Sequence, residues 1–479
     1  MRILLVTHGF PPEQRGGVEL HTQALAGELA RLGHSILVVS GTLRSSQRPG
    51  EIEVLRGPPE GVPEEVPEEG ASYAVVRLAR GDLYFDHWHK SLCLELTTAF
   101  RALVREFRPD VVHVQHWLRL SRDLVLAAAR EGVPAVVSLH DAWASCPIAF
   151  RVRPLTREPC DAVVGPHPCV ACAGRLPPRT PWVPVEAGFL QLAERQRDLV
   201  RELELARVLV APSQAHGLAL ERWLGREPGS LSFEVLAPCA ALPAPREALP
   251  DPADSSPIPY LYLATWCQIA PHKGLDVLLE GLRLARSELA AEAVVFLDIH
   301  GEPADPEYAA RLEQQSADEP VRWRGPFAPA DLPLRIAPEV QVFVGASRAH
   351  ESYGIAADEA ARLGLALVLP DAPAFRERFS AVAEFHAQGN AQALAEVLVG
   401  LARDRRRLAR ARRLSREHGH GLATAGPKAL RHLEFYQRAI LAGAPSVSAE
   451  GWYEARMNRA ALADWDRALS ARSREELGT

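Results

Sequence analysis

Between Pro238 and Pro259 the sequence carries seven prolines: Pro238, Pro243, Pro245, Pro250, Pro252, Pro257 and Pro259. Each proline fixes its own φ and removes a backbone N–H, so neither a continuous helix nor a central strand survives at this density. The stretch divides the chain, and both sides alternate in the same way. Before it, Ile3–Val6, Ser35–Val39, Val111–Val114, Ala135–Leu139, Val208–Val210 and Phe233–Leu236 read as strands. Val18, Leu25, Leu29 and Leu32 give a helical apolar stripe ended by Gly33, and Arg122–Arg130 and Val185–Arg207 read as further helices. After it, Tyr260–Thr265, Ala293–Ile299, Gln341–Val344 and Leu365–Leu369 are strands, with helices over Gly274–Leu289, Ser352–Leu363 and Ala391–Leu401. Beyond Arg403 the pattern is helical. Strands alternating with helices predict parallel sheets. The expected class is α/β, with two Rossmann-like, doubly wound domains facing a cleft. They occupy residues 1–237 and 260–420, joined by the linker 238–259, with C-terminal helices over 421–479 that pack back on the body.

The chain of 479 residues has room for both domains, and its apolar fraction of 47% and charged fraction of 24% are those of a soluble globular protein. A net charge of -6 argues against a nucleic-acid partner. The opening run Met1–His8 reads as a first strand, not a leader. No apolar stretch approaches the ~20 residues that span a bilayer. The expected location is the cytoplasm, with peripheral membrane contact left open. The low-complexity segment Gly57–Gly70 reads as a solvated loop.

Open α/β sheets bind ligands at the carboxyl ends of their strands, and four segments fall there. Gly16 and Gly17 lie between the first strand and first helix, where side-chain-free amides let a diphosphate approach; an ordinary flexible loop accounts for them equally. His140 ends a strand, and either meets a sugar hydroxyl or is a buried structural histidine. Gln268 and Lys273 lie between a strand and the helix opening at Gly274. Lysine is scarce here, with only Lys90, Lys273 and Lys428, so an ammonium at a helix start stands out as a partner for a leaving diphosphate. Finally, Glu351 and Glu359 bracket Tyr353, Gly354 and Ile355 at another strand-to-helix junction. Carboxylates there can accept from sugar hydroxyls, and helix-start amides can hold a phosphate.

These residues resemble the family 4 retaining glycosyltransferases, which have the two-domain GT-B fold. Glu351 and Glu359 match the family's Glu-x7-Glu motif and Pro271–Gly274 its Pro-x-Lys-Gly, while Gly16-Gly17 and His140 match its other half. The resemblance implies transfer of a sugar from a nucleoside diphosphate (UDP or GDP type) to a glycan, lipid-linked or small-molecule hydroxyl. It implies that Glu351 and His140 lie near the donor sugar, Glu359 at the ribose and Lys273 at the diphosphate. Amides at Gly17, Tyr353, Gly354 and Ile355 would hold sugar or phosphate, and no divalent metal is needed for catalysis. The sequence departs from the pattern at Gln268, where the family has an arginine; Arg348 and Arg376 are candidate substitutes. It also lacks the usual Gly-Gly, having Ala372-Pro373-Ala374. A catalytically weakened nucleotide-sugar-binding or scaffolding protein of the same fold is therefore the alternative.

Four of seven cysteines, Cys146, Cys160, Cys169 and Cys172, fall close together and end in Cys-x2-Cys. A structural zinc or four independent thiols fit that spacing. His87-Trp-His89 with Asp86 reads as a surface patch, and Trp452–Leu469 as a terminal helix.

Overall fold

The structure, a computed structural model, describes residues 1–46, 51–56, 73–81, 88–173, 185–246, 259–290, 292–327 and 331–448. The segments 57–70 and 452–469, and Asp86 and His87, lie outside the described residues. The chain divides into two compact units. The first comprises Met1–Ala149, Asp161–Ala240 and Ala425–Thr479; the second comprises Phe150–Cys160 and Ala241–Thr424.

The first unit is built from β1 (Arg2–Thr7), α1 (Gly17–Arg31), β2 (Ser35–Ser45), β3 (Ile52–Arg56), β4 (Ala74–Arg80), α2 (Leu94–Phe107), β5 (Val111–Val114), α3 (Leu124–Arg130), β6 (Ala135–Ser138), α4 (Pro166–Ala173), α5 (Val185–Leu205), β7 (Val208–Ala211), α6 (Gln214–Trp223) and β8 (Phe233–Val235). Its sheet runs β3-β4-β2-β1-β5-β6-β7-β8, parallel throughout except for the β3–β4 pair. Both faces are covered, which is why its central strands are continuous apolar runs. Alternate residues of β1 serve opposite faces: Leu4 and Val6 join Phe100, Leu103 and Leu124, while Ile3 and Leu5 join Leu25, Leu29, Phe435 and Tyr436.

The second unit follows with β9 (Tyr260–Trp266), α7 (Leu275–Leu289), β10 (Val294–His300), α8 (Pro306–Gln315), β11 (Val321–Gly325), α9 (Leu332–Arg335), β12 (Val342–Val344), α10 (Ile355–Arg362), β13 (Ala366–Pro370), α11 (Pro373–Phe379), β14 (Ala383–His386), α12 (Ala391–Arg403) and α13 (Arg405–Gly421). The order β11-β10-β9-β12-β13-β14 is wholly parallel. The strand order reverses beside β9, so β9 and β12 define the crevice where such sheets take ligands. Again the faces alternate: Leu261 and Leu263 pack against α7 and α12, while Tyr262, Ala264 and Trp266 pack against Ala357, Ala360 and Phe375.

The final described helix, α14 (Ala425–Ala442), belongs to the first unit. Its buried face supplies Phe435, Tyr436 and Ala439 to the core shared with β1 and α1. No described helix is long and apolar enough to cross a membrane.

Candidate functional site

In the second unit, β9 ends at Trp266 and the chain reaches α7 through a short 3-10 turn, Pro271–Lys273. Gly274 then reverses it at φ +69°. A Cβ on Gly274 would stand 2.1 Å from the Ala346 carbonyl oxygen, so glycine lets this turn press against the loop after β12. That approach brings Lys273 to Glu351 across 78 residues of sequence, with Nζ 2.9 Å from Oε1. Burial works to raise the Glu351 carboxyl, but the neighbouring ammonium overrides it and the carboxyl titrates below its usual range. Lys273 is shifted upward for the same reason, against its own burial. The pair keeps both groups charged in a largely enclosed place. Next to it, the Phe150 ring stacks on His272 at 3.7 Å and 6°. Burial lowers His272 to about 3, so that ring is neutral at neutral pH.

The chain enters α10 through Gly354 at φ +88°, where a Cβ would sit 2.3 Å from Cε1 of Phe375. Tyr353 before it is clamped: its hydroxyl donates to Asp358 at 2.8 Å, and Arg378 lies 3.4 Å over its ring and donates to its carbonyl at 2.7 Å. Arg378 also pairs with Asp358. The first turn of α10, with Ile355, is thereby held rigidly at the site. About one turn in, Glu359 is 9% exposed and accepts from Trp266 Nε1 at 2.7 Å. Burial raises its carboxyl to about 7, more than the indole N–H can offset.

Gln268 is exposed on the loop after β9. Of the candidate substitutes for the missing arginine, Arg376 pairs with Asp371 at 2.6 Å, and Arg348 is committed to Asp276 at 2.9 Å. Arg348 nonetheless stands by the lysine turn, its backbone N–H donating to the His272 carbonyl at 2.8 Å.

In the first unit, Gly16 caps α1 in extended conformation and Gly17 begins it. Sequence reasoning passed over Glu19 in the first turn. It is 5% exposed and pairs with His8 Nε2 at 3.1 Å. A Cβ on Gly16 would come within 2.6 Å of the Glu19 carboxylate. Burial opposes ionisation, yet His8 holds the Glu19 carboxyl down at about 2. A negative charge therefore already occupies the start of α1, the place expected to take a phosphate. The signal was an acid in a helix first turn, common enough to go unremarked.

His140 follows β6, and its Nε2 donates to Gln115 Oε1 at 2.7 Å. Burial lowers it to about 3, leaving a neutral imidazole. It heads a buried histidine group: the His21 ring is 4.6 Å away, and His432 of α14 lies 5.7 Å from His21. Gln115 continues to His113, whose Nδ1 lies 2.8 Å from the Tyr436 hydroxyl of α14. His21, His140 and His432 border a small cavity with Ser138 and Pro238. Nε2 of His21 and of His432 have no hydrogen-bond partner among the described residues. Asp141, beside His140, is turned to His116 and to the Trp143 amide.

The cysteines do not assemble as a zinc site. None of the seven is in a disulfide, and among the described residues no three His, Cys, Asp or Glu side chains are placed to hold a metal. Cys146 and Cys169 instead neighbour the buried Arg195 guanidinium, and Cys172 lies one turn beyond Cys169 on α4. Cys160 falls in Phe150–Cys160, which clusters with the other unit. Of the two readings the spacing allowed, a zinc site and independent thiols, the described residues support no metal cluster.

Comparison with known proteins agrees with this architecture. The family model described as Glycosyltransferase Family 4 matches residues 15–231, and that described as Glycosyl transferases group 1 matches 261–404. Glycogen synthase of Mycobacterium tuberculosis is 32% identical over 147 residues, a match covering 29% of this chain. The chain spans only about a third (33%) of that relative's length. Among solved structures, Anabaena HepE in complex with UDP and glucose is 15% identical, covering 91% of this chain and 99% of its own at a TM-score of 0.58. Sucrose-phosphate synthase from Thermosynechococcus elongatus is 14% identical, with coverages of 92% and 100% and a TM-score of 0.62. Both share the two-domain GT-B fold with this chain.

Proposed function

The chain belongs to the family 4 glycosyltransferases, and from that membership we propose that it transfers a sugar from a nucleoside diphosphate to an acceptor hydroxyl with retained anomeric configuration. One observation carries the reading: the loops that follow the switch-point strands β9 and β12 bring a half-buried Lys273–Glu351 ion pair together, and the helix after β12 carries a protonatable Glu359 held by Trp266 at the end of β9. Lys273 would hold the departing diphosphate, helped by backbone amides of Tyr353, Gly354 and Ile355. Glu351 would accept from the donor-sugar hydroxyls, and Glu359 from the ribose diol. Gln268, exposed on the same side, would donate to a phosphate oxygen. Gly16, Gly17 and His140 would serve the other end of the donor and the acceptor.

Before the donor arrives, Lys273 and Glu351 satisfy one another. Donor binding exchanges that bond for contacts to phosphate and sugar, so neither charge is left buried alone. In the transfer step the bond from the anomeric carbon to the diphosphate oxygen breaks, and the acceptor oxygen bonds to that carbon on the same face. The acceptor proton passes to the departing diphosphate. No protein nucleophile and no divalent metal is required. HepE was solved with UDP and glucose, and with UDP-glucose, which supports a nucleotide-sugar donor here.

Titration calorimetry with UDP- and GDP-sugars, followed by release of free nucleoside diphosphate on adding candidate acceptors, tests the proposal. Binding with Kd below the millimolar range, abolished in Lys273→Met, is expected; no binding by any nucleotide sugar would overturn it. A second reading, a nucleotide-sugar-binding protein without turnover, is favoured by the uncharged Gln268 and by Arg348 being held on Asp276. Binding without release of diphosphate across a broad acceptor panel would select it.

A further inference from the structure

His300 closes β10 and is 1% exposed, yet neither of its ring nitrogens has a hydrogen-bond partner among the described residues. A buried polar group left unmatched on both sides is costly, and an occupant absent from the free protein is one explanation. The surroundings say what kind. β10 pairs with β9 so that His300 is opposite Trp266. In-register parallel neighbours point to the same face, about 4.8 Å apart. Trp266 is the indole that donates to Glu359. His300 thus stands one strand further along the same face from the acid assigned to the ribose.

The loops around it are drawn together. Gly301 has φ +147°, and a Cβ there would lie 1.8 Å from the Cys267 carbonyl oxygen. Its N–H donates to the Gly325 carbonyl at 2.9 Å, tying the end of β10 to the end of β11. Beyond β11, the Phe327 ring meets the His300 ring edge-on at 6.1 Å and 89°. The nearest acid, Asp298, is already taken by Tyr262, Arg322 and Arg324, so it does not serve the imidazole. Burial keeps the ring neutral, with one N–H to donate and one lone pair to accept.

We propose that His300, flanked by Phe327, is the seat of the donor's nucleobase, and that its two ring nitrogens select the base. This rests on Glu359 holding the ribose. The base hangs from the carbon next to the 2′-hydroxyl, so a ribose diol at Glu359 puts it on an adjacent strand. Its polar edge offers N–H, C=O or amino groups that a neutral imidazole matches, and its ring packs on the phenyl group.

The test is titration calorimetry of UDP, GDP, ADP and inorganic pyrophosphate against the full chain, His300→Phe and His300→Gln. The native protein should prefer one nucleotide by about tenfold or more. His300→Phe should weaken that nucleotide roughly five- to tenfold, the worth of one lost hydrogen bond, and bring the three within about threefold of one another. His300→Gln, which keeps a donor and an acceptor, should recover part of the preference. Pyrophosphate affinity should be unchanged in both. If the native protein binds nucleotides and His300→Phe keeps its preference, the imidazole is satisfied by a water only and this inference fails alone. Native binding with no base preference overturns it too, as does a fall in pyrophosphate affinity in both variants. If the native protein binds no nucleoside diphosphate, the proposed function fails with it.

Discussion

Glu359 gives the proposed donor site a pH dependence that can be worked out in advance. Its carboxyl titrates near 7 in the folded protein against 4.5 for an ordinary glutamate, because burial outweighs the Trp266 N–H. A ribose diol donates hydrogen bonds and prefers the carboxylate, so donor binding should draw the carboxyl back into its ionised form and release a proton. At pH 6 about a tenth of Glu359 is ionised and at pH 8 about nine-tenths, so affinity should fall about tenfold from pH 8 to 6. A nucleoside diphosphate sugar does not titrate in that window, and neither does His272, held near 3. Calorimetry in two buffers of different ionisation enthalpy should register close to one proton released per donor at pH 6. Glu359→Gln should bind more weakly at pH 8, by about 1.5–3 kcal/mol for a lost charged hydrogen bond, and show no slope. Stability carries the opposite sign. Between pH 4.5 and 7 the folded chain keeps a proton that the unfolded chain has lost, so this group costs stability progressively as pH rises through that interval. The full difference, about 2.5 units, is about 3 kcal/mol at pH 8, and Glu359→Gln should regain much of it in thermal melts. A flat donor affinity from pH 6 to 8, or the same slope in Glu359→Gln, would refute the reasoning.

Three further outcomes are expected. Lys273→Met leaves Glu351 enclosed without its counter-ion, costing about 2–3 kcal/mol at pH 7; the deficit should shrink at pH 4.5, where Glu351 can protonate, as read from melts at the two pH values. Gly354→Ala imposes a left-handed non-glycine residue and a methyl 2.3 Å from Phe375, so it should lose about 2–4 kcal/mol in denaturant unfolding, partly recovered by Phe375→Leu. Glu202 accepts from the amides of Val125 and Leu126 and from the Trp117 indole, capping α3 from α5; Glu202→Ala should cost about 2–4 kcal/mol by chemical denaturation, more than Glu202→Gln, and equal losses would show that the acceptor oxygens do not matter.

The α/β alternation was legible because buried parallel strands are apolar runs, and β5 was read to the residue. The strands missed have weaker patterns for physical reasons. β11 lies at a sheet edge and carries Arg322 and Arg324 out to Asp298, so it lacks an apolar run. β3 and β4 form the antiparallel edge pair of the other sheet. At the site, residue types were readable but partners were not. Nothing local indicates that Lys273 reaches Glu351 or Trp266 reaches Glu359, since those distances are set by glycine turns and strand order. Long-range capping is equally silent: Asp123, the residue before α3, makes no side-chain cap bond, and Glu202 does that work from 77 residues away. His300 drew no notice because a lone histidine at a strand end is meaningful only once its neighbours are known. The cysteine spacing fitted a zinc site and four independent thiols equally, because spacing alone does not say whether side chains converge; among the described residues no three potential ligands do.

The return of α14 to the first unit has a practical corollary. The second unit is spliced into the first, with the chain leaving at Ala241 and coming back at Ala425. A fragment ending at the proline stretch would lack Phe435, Tyr436 and Ala439 from its own interior. It should be insoluble or molten when produced alone, and adding residues 425–448 as a separate peptide should rescue it. Proteolytic cleavage in the linker should likewise leave a nicked species that migrates as one particle until denatured, because the last helix fastens the severed halves together.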